Sequence, residues 1–392
     1  MERALVRPFF SQSDRRERVG RRHLLEPQSR LDSVPGIADA LVGLHSSDPA
    51  TVYLSAGLRM RDPSTDAVER ALYDDRTVLR LHGFRNTLWV MTRAMASAMF
   101  CSTSLNLAAT QTKRLVGLVE ANDVAPDAER WVAEAKFTLL AEVEARGTAT
   151  TRELGAALPD VAVPLSLQGA TVSAHTRLMT CLAFEGSIVR TRPQGTWIGS
   201  QYVWASMDDW IDGGLDEIDP DTAASAVLAA YLRSFGPVTF KDITWWTGWT
   251  VAAARRALGN LQTVMVDTDD GEAIILEGDD ERASAQPWVA LLPGLDPTTM
   301  GWKRRDWYLD PAHTEQLFDR NGNAGPTVWM DGRVVGGWVQ ASDGEIRLAV
   351  LDPEATSRMD EIEVEVQRVL ALFGDVRHRP RFPTPTVTAL YD

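Results

Sequence analysis

Cysteine is almost absent. Cys101 and Cys181 are the two in 392 residues, too few for a disulfide framework or a cysteine-rich zinc site. Both sit in apolar, helix-like runs that suit buried thiols. Histidine is scarce as well. His23, His45, His82, His175, His313 and His378 lie far apart, with no H-x₃-H or H-E-x-x-H spacing for a metal. There is no P-loop, no G-x-G-x-x-G after a strand, and no G-x-S-x-G elbow to strain a serine nucleophile. Neither a metal nor a nucleotide cofactor is expected, and a serine hydrolase is discounted. No run approaches the roughly 20 apolar residues that span a bilayer, and no apolar signal core follows the N-terminal arginines. A soluble cytoplasmic chain is the expectation.

Positive charge is also in deficit. The formal net charge is −14, which argues against a phosphate-rich partner unless the basic residues are concentrated, since phosphate binding gains from counterion release by Lys and Arg. Some concentration is visible. Arg3, Arg7, Arg15, Arg16, Arg18, Arg21, Arg22 and Arg30 crowd the first thirty residues, and an acidic stretch, MDDWIDGGLDEIDPD, occupies Met207–Asp221. The composition, 44% hydrophobic and 24% charged, is that of a folded protein. Of its 13 tryptophans, many lie in the last 150 residues and predict an aromatic core there.

One local pattern occurs three times, most clearly in the middle. TATTRELGAALPD from Thr148 reads as a turn and short helix, VSAHTRLMTCLAFEGSIVR as a longer helix, and RTRPQGTWIGSQYVWA as two strands about Pro193-Gln194-Gly195. Helix, turn, helix and hairpin together are the grammar of a winged helix. A weaker copy covers Val68–Thr92. A third runs from FGPVTFKDITWWTG through VAAARRALGNL to a hairpin turning at Asp269-Asp270-Gly271. The predicted class is α+β: three tandem winged-helix modules and a C-terminal β-rich, barrel-like element. The expected order is a basic arm (1–20), a first module (21–94), bracing helices (95–147), a second module (148–206), an acidic linker (207–222), a third module (223–284) and the C-terminal element (285–392). Within the last, Asp331-Gly332 predicts a hairpin turn, Met359–Gly374 a helix, and the proline-rich end an extended segment.

The most unusual polar cluster is LHSSDPATVYLS, Leu44–Ser55. His45, Ser47 and Asp48 interrupt an otherwise apolar helical run at a proline, which disfavours helical geometry before it. A histidine beside a carboxylate can activate water, with Asp48 fixing the imidazole tautomer. Equally, Asp48 or Ser47 caps the helix after Pro49 and His45 is a satisfied, half-buried side chain. Elsewhere, Arg190, Arg192 and Gln194 flank the middle hairpin turn, either as a wing along a nucleic-acid backbone or as a plain hairpin. Arg255 and Arg256 lie on the third module's helix. Lys303, Arg304 and Arg305 interleave with Trp302, Trp307 and Tyr308, which suits phosphate contacts and base stacking or a solvated edge strand.

The ordered blocks GLHSSDPATVYLS, ERALYDDRTVLRLHGFRNTLWVM, YLRSFGPVTFKDITWWTGW, LLPGLDPTTMGWKRRDWYL and GPTVWMDGRVVGGWVQ resemble the bacterial winged-helix proteins of the AlkZ-like family, from about Arg21 to Leu390. The resemblance implies a clamp of three winged-helix units and a barrel-like element on duplex DNA. It also implies a glycosylase that excises alkylated or crosslinked bases, with a Gln-x-Gln or Gln-x-Asp pair holding the attacking water. Here His45 takes the first position of that pair and Ser47 the second, so neither residue matches. Two functions follow. One is a monofunctional glycosylase-like enzyme with His45, Ser47 and Asp48 at the water. The other is a non-catalytic DNA-binding protein, a regulator or lesion sensor, with a degenerate motif. In both the partner is double-stranded DNA, alkylated in the first, and the chain is a monomer away from membranes.

Overall fold

The computed structural model of the protein describes residues 7–282 and 286–391. The first six residues of the expected arm, Arg3 among them, lie outside the described residues. The chain divides into two compact units, Leu72–Ala224 and the combination of Met1–Ala71 with Ser225–Asp392. The α+β class holds. The finer division into three modules does not map onto these two units, because the first boundary falls inside the first expected module. Among the described residues, no helix is long and apolar enough to cross a membrane.

In the unit Leu72–Ala224, a hairpin pairs Val78–His82 with Leu88–Thr92, turning through Arg85 and Asn86 at positive φ. Helices Leu105–Ala121 and Ala128–Arg146 follow a wide π-helical turn at Phe100–Ser104. They pack around Ala174–Phe184, the longer helix of the middle copy. That helix buries Ala174, His175, Leu178, Met179, Cys181, Leu182, Ala183 and Phe184. Leu115, Val119, Val132, Leu139 and Val143 complete this core. Arg177 is exposed and Thr176 and Thr180 are half-buried, so one narrow face stays outside this core. The middle copy also contains an unforeseen hairpin, Pro164–Leu167 with Ala170–Ser173, between its two helices. Its turn, Gln168-Gly169, takes φ of 50° and 82°, the left-handed pair a two-residue hairpin loop requires. The acidic stretch is pinned down, since Asp216 pairs with Arg93 and the Asp216 N–H donates to Ser97 Oγ.

In the other unit the expected arm becomes the helix Gln12–Arg22 from its twelfth residue, closed by a Ser11–Asp14 capping box. Its arginines meet carboxylates of the same unit: Arg15 with Asp270, Arg18 and Arg22 with Asp279, Arg21 with Glu281. Arg7 pairs with Glu272 and Arg30 with Glu365. Much of the apparent basic concentration is neutralised within the fold. The third copy forms helices Pro220–Phe235, Phe240–Thr247 and Val251–Gly259 and the hairpin Thr263–Thr268 with Gly271–Leu276. Phe9–Phe10 adds a parallel strand to it.

The C-terminal β-rich region is an open antiparallel sheet, in the order Val289–Leu292, Thr327–Met330, Arg333–Gln340, Ile346–Val350. This corrects the barrel-like expectation, because the first and last strands remain edges. The stretch 293–310, read as β-rich, carries no strand. Asp331 and Gly332 both take positive φ at the expected hairpin turn. Helix Met359–Phe373 packs against Val289–Leu292. The proline-rich end is extended only to Thr384; Pro385 then opens the helix Pro385–Tyr391, where its missing N–H costs nothing.

The tryptophans behave as their number predicted. Trp288, Trp302, Trp307, Trp329 and Trp338 are fully buried. An aromatic chain runs from Trp246 to Tyr231 (4.3 Å), Phe235 (5.0 Å) and Trp302 (5.2 Å), then through Trp307 and Tyr308 to Trp329. It joins the helices of the third copy to the sheet. Base stacking by Trp302, Trp307 and Tyr308 is thereby excluded: each is 1% exposed.

Candidate active site

The helical run expected to continue to Ser47 is the helix Val34–Ala40 and ends there. Val42 adopts a positive φ of 64°, Leu44–His45 is a two-residue strand, and the chain turns through Ser46 and Ser47 into the helix Pro49–Gly57. Asp48 is its N-cap, accepting the Ala50 N–H at 3.2 Å, with Pro49 at the first helical position. All nine residues of that helix are buried, so it is a central helix whose apolar composition needs no polar face.

Two contacts seat it on the loop that carries the block LLPGLDP. Thr51 Oγ1 donates to the Gly294 carbonyl at 2.7 Å, and Ser55 Oγ donates to Asp296 at 2.6 Å. One turn on, Arg59 grips Asp296 with two hydrogen bonds of 2.8 Å. Burial pushes the Asp296 carboxyl up, but the Arg59 charge and the Arg59, Ser55 and Thr298 hydrogen bonds outweigh it and hold it below the usual range. Arg59 and Asp296 were missed in the sequence. The signal was there: a lone charge in each of two apolar runs has to find a partner when buried.

His45 is 8% exposed and Ser47 is half-buried. The Ser47 N–H points at His45 Nδ1 across 3.4 Å, a contact that suits a ring whose Nδ1 accepts. Asp48 does not orient this ring. Among the described residues its carboxylate takes the Ala50 N–H, the Arg381 N–H at 2.9 Å and His378 Nε2 at 3.4 Å. Burial raises its pKa, yet the His378 contact and the two backbone donors more than offset this and leave it low. The capping role foreseen for Asp48 is therefore present, and its histidine partner is His378.

The candidate phosphate-binding residues fall into two sets. In the unit Leu72–Ala224, Arg190 is half-buried over Trp204 at 4.5 Å, and its Nη1 is 3.4 Å from His82 Nε2. Burial lowers its guanidinium to about 10. Arg192 is exposed, paired with Asp74 at 3.0 Å. Gln194 is exposed and its N–H donates to the Gln201 carbonyl as the loop opens. In the other unit, Arg255 and Arg256 stand on an exposed helix face, Arg255 5.8 Å from the Phe240 ring. The N–H groups of Lys303 and Arg304 approach Asp242 Oδ1 at 2.9 and 3.4 Å. Asp242 is the capping-box residue of Phe240–Thr247, so Lys303 and Arg304 sit beside the start of that helix, near Lys241 and Arg255. Arg305 turns inward over Phe318 at 4.0 Å.

The fold has a counterpart among solved structures. Streptomyces sahachiroi DNA glycosylase AlkZ superposes with a TM-score of 0.73 at 21% identity, covering 93% of this chain and 97% of that one. A curated relative described as an interstrand DNA cross-link repair glycosylase, also from Streptomyces sahachiroi, is 26% identical over 328 residues, 81% of this chain and 84% of its own length. Residues 38–372 match the family described as DNA glycosylase AlkZ-like. The chain belongs to that family, and the resemblance met in its sequence blocks is thereby established.

Proposed function

We propose that the chain is a monofunctional DNA glycosylase. It binds duplex DNA, and a water held at the His45 turn attacks the sugar carbon of an alkylated or cross-linked nucleotide; the N-glycosidic bond breaks, the base leaves with the bonding pair, and the water's proton passes to solvent. The observation that carries this is the contact of the Ser47 N–H with His45 Nδ1 at 3.4 Å. The resemblance sets His45 at the first glutamine position of the family's pair, and a ring that accepts at Nδ1 carries an Nε2–H, the same kind of donor as a glutamine amide. Family membership and the relative's printed activity support the reaction class. No lysine flanks the turn, so a Schiff-base strand-cleavage step is left out.

The test is base release from a duplex carrying N7- or N3-alkylated purines. Wild type is expected to release base and His45→Ala to lose about 10²-fold or more, the scale of losing one oriented donor. His45→Gln should retain much of the activity. Glutamine cannot take a proton from water, so activity kept in His45→Gln identifies a donor role, whereas a loss in His45→Gln equal to that in His45→Ala identifies His45 as a general base.

A second reading, a DNA-binding protein without catalysis, is favoured by one observation. Among the described residues the Asp48 carboxylate takes the helix-cap N–H, the Arg381 N–H and His378, which is a structural role. Salt-sensitive duplex binding without base release from any alkylated substrate would select it.

A further inference from the structure

The family match ends at residue 372. The extended segment that follows lies directly on the His45–Asp48 turn. Arg381 donates its backbone N–H to Asp48 Oδ2 at 2.9 Å and its guanidinium to the Ser47 carbonyl at 3.3 Å. His378 Nε2 lies 3.4 Å from the same Asp48 oxygen. The segment is itself anchored to the sheet. The His378 N–H donates to Gln340 Oε1 at 2.8 Å, and Gln340 Nε2 donates back to the Val376 carbonyl at 3.1 Å. Gln340 is 2% exposed at the end of a sheet strand. Both faces of the small segment are therefore committed, one to the rigid sheet and one to the turn.

We propose that His378, with Arg381, is a positioning residue for the candidate active site, holding the Ser47–Asp48 backbone so that the Ser47 N–H stays on His45 Nδ1. The inference rests on the reading of the His45 turn as the reaction site. It requires that His378 act at a distance, and the space around it agrees. The cavity lined by Asp48, Thr51, Gln340 and His378 is small, at about 10 Å³, roughly one water. No nucleobase enters there, so substrate reaches the turn from another side and His378 works through Asp48. The chain of contacts is short: sheet to Gln340, Gln340 to His378, His378 and Arg381 to Asp48 and Ser47, Ser47 to His45.

The experiment measures single-turnover base release, duplex affinity and the His45 ring-nitrogen NMR signals in the full chain. His378→Ala is expected to slow release about tenfold or more while leaving duplex affinity within about twofold, as expected when geometry at the reacting centre loosens without loss of binding contacts. His378→Gln, which keeps a donor of similar reach toward Asp48, should recover most of the rate. Arg381→Ala keeps the backbone donor and loses only the Ser47 carbonyl contact, so it should show a smaller loss and guards against misfolding of the first variant. In both alanine variants the His45 Nδ1 signal should move. An unmoved His45 signal, or a loss in His378→Ala that His378→Gln does not repair, overturns the proposal. If wild type releases no base, the proposed function falls, and the His45 signals alone still decide whether the segment positions the ring.

Discussion

Arg59 and Asp296 face each other in a two-pronged ion pair, both bonds 2.8 Å, with neither side chain exposed to solvent. The pair is closed by further partners: Ser55, the Thr298 N–H and the His23 carbonyl, which accepts from Arg59 Nε at 2.8 Å. It fixes the C-terminal end of the helix whose N-terminal end presents the candidate site. Removing one partner leaves a buried charge without compensation. Asp296→Asn or Arg59→Met is therefore expected to destabilise the protein by about 3–5 kcal/mol. The double change to Met and Leu should recover a large part of that loss. Denaturant unfolding of the three variants checks this, and additive losses would refute it.

His23 lies against this network and gives the protein an acid-sensitive step. Its Nδ1 faces the Thr298 hydroxyl at 2.8 Å, its Nε2 faces the Ser234 carbonyl at 3.2 Å, and its ring stacks on Trp302. Burial first, then the neighbouring Arg59 charge, lowers its pKa to about 3. The unfolded chain, with an ordinary histidine near 6.5, binds a proton that the folded chain refuses. Stability therefore rises with pH between about 3 and 6.5, and falls by about 1.4 kcal/mol per unit on acidification through that window. Unfolding measured at pH 7, 6 and 5 should show this slope, and His23→Gln should reduce it by one proton's worth.

The basic residues divide by exposure, and the division is measurable. Arg255, Arg256, Lys303 and Arg304 are exposed. Each alanine substitution that removes a phosphate contact should flatten the plot of log affinity against log salt by about 1. Arg190→Ala should leave the slope unchanged, because that side chain is turned onto Trp204 and His82, and should lower stability instead. A reduced slope for Arg190→Ala would show that the middle hairpin meets DNA directly.

Local chemistry was legible in the sequence. Asp48-Pro49 capping a helix and turns at Asp269-Asp270 and Asp331-Gly332 depend on residues within about four positions, where sterics and short hydrogen bonds decide the outcome. The aromatic core followed from tryptophan number, and the family from ordered blocks of sequence. Other properties depended on which distant segments meet. Arginines in the first thirty residues read as a DNA-seeking arm, yet Arg15, Arg18, Arg21 and Arg22 pair with acids of residues 270–281. Asp48 reads as the partner of His45 three residues away, yet its carboxylate binds His378 and Arg381, more than three hundred residues later. An ionisable side chain is satisfied by whatever donor the fold brings within about 3 Å, and sequence distance carries no information about that. The amino-acid sequence thus determined local turns, the helix cap at Asp48 and the family. Tertiary structure alone decided which charges are spent inside the protein and which are left to meet a partner.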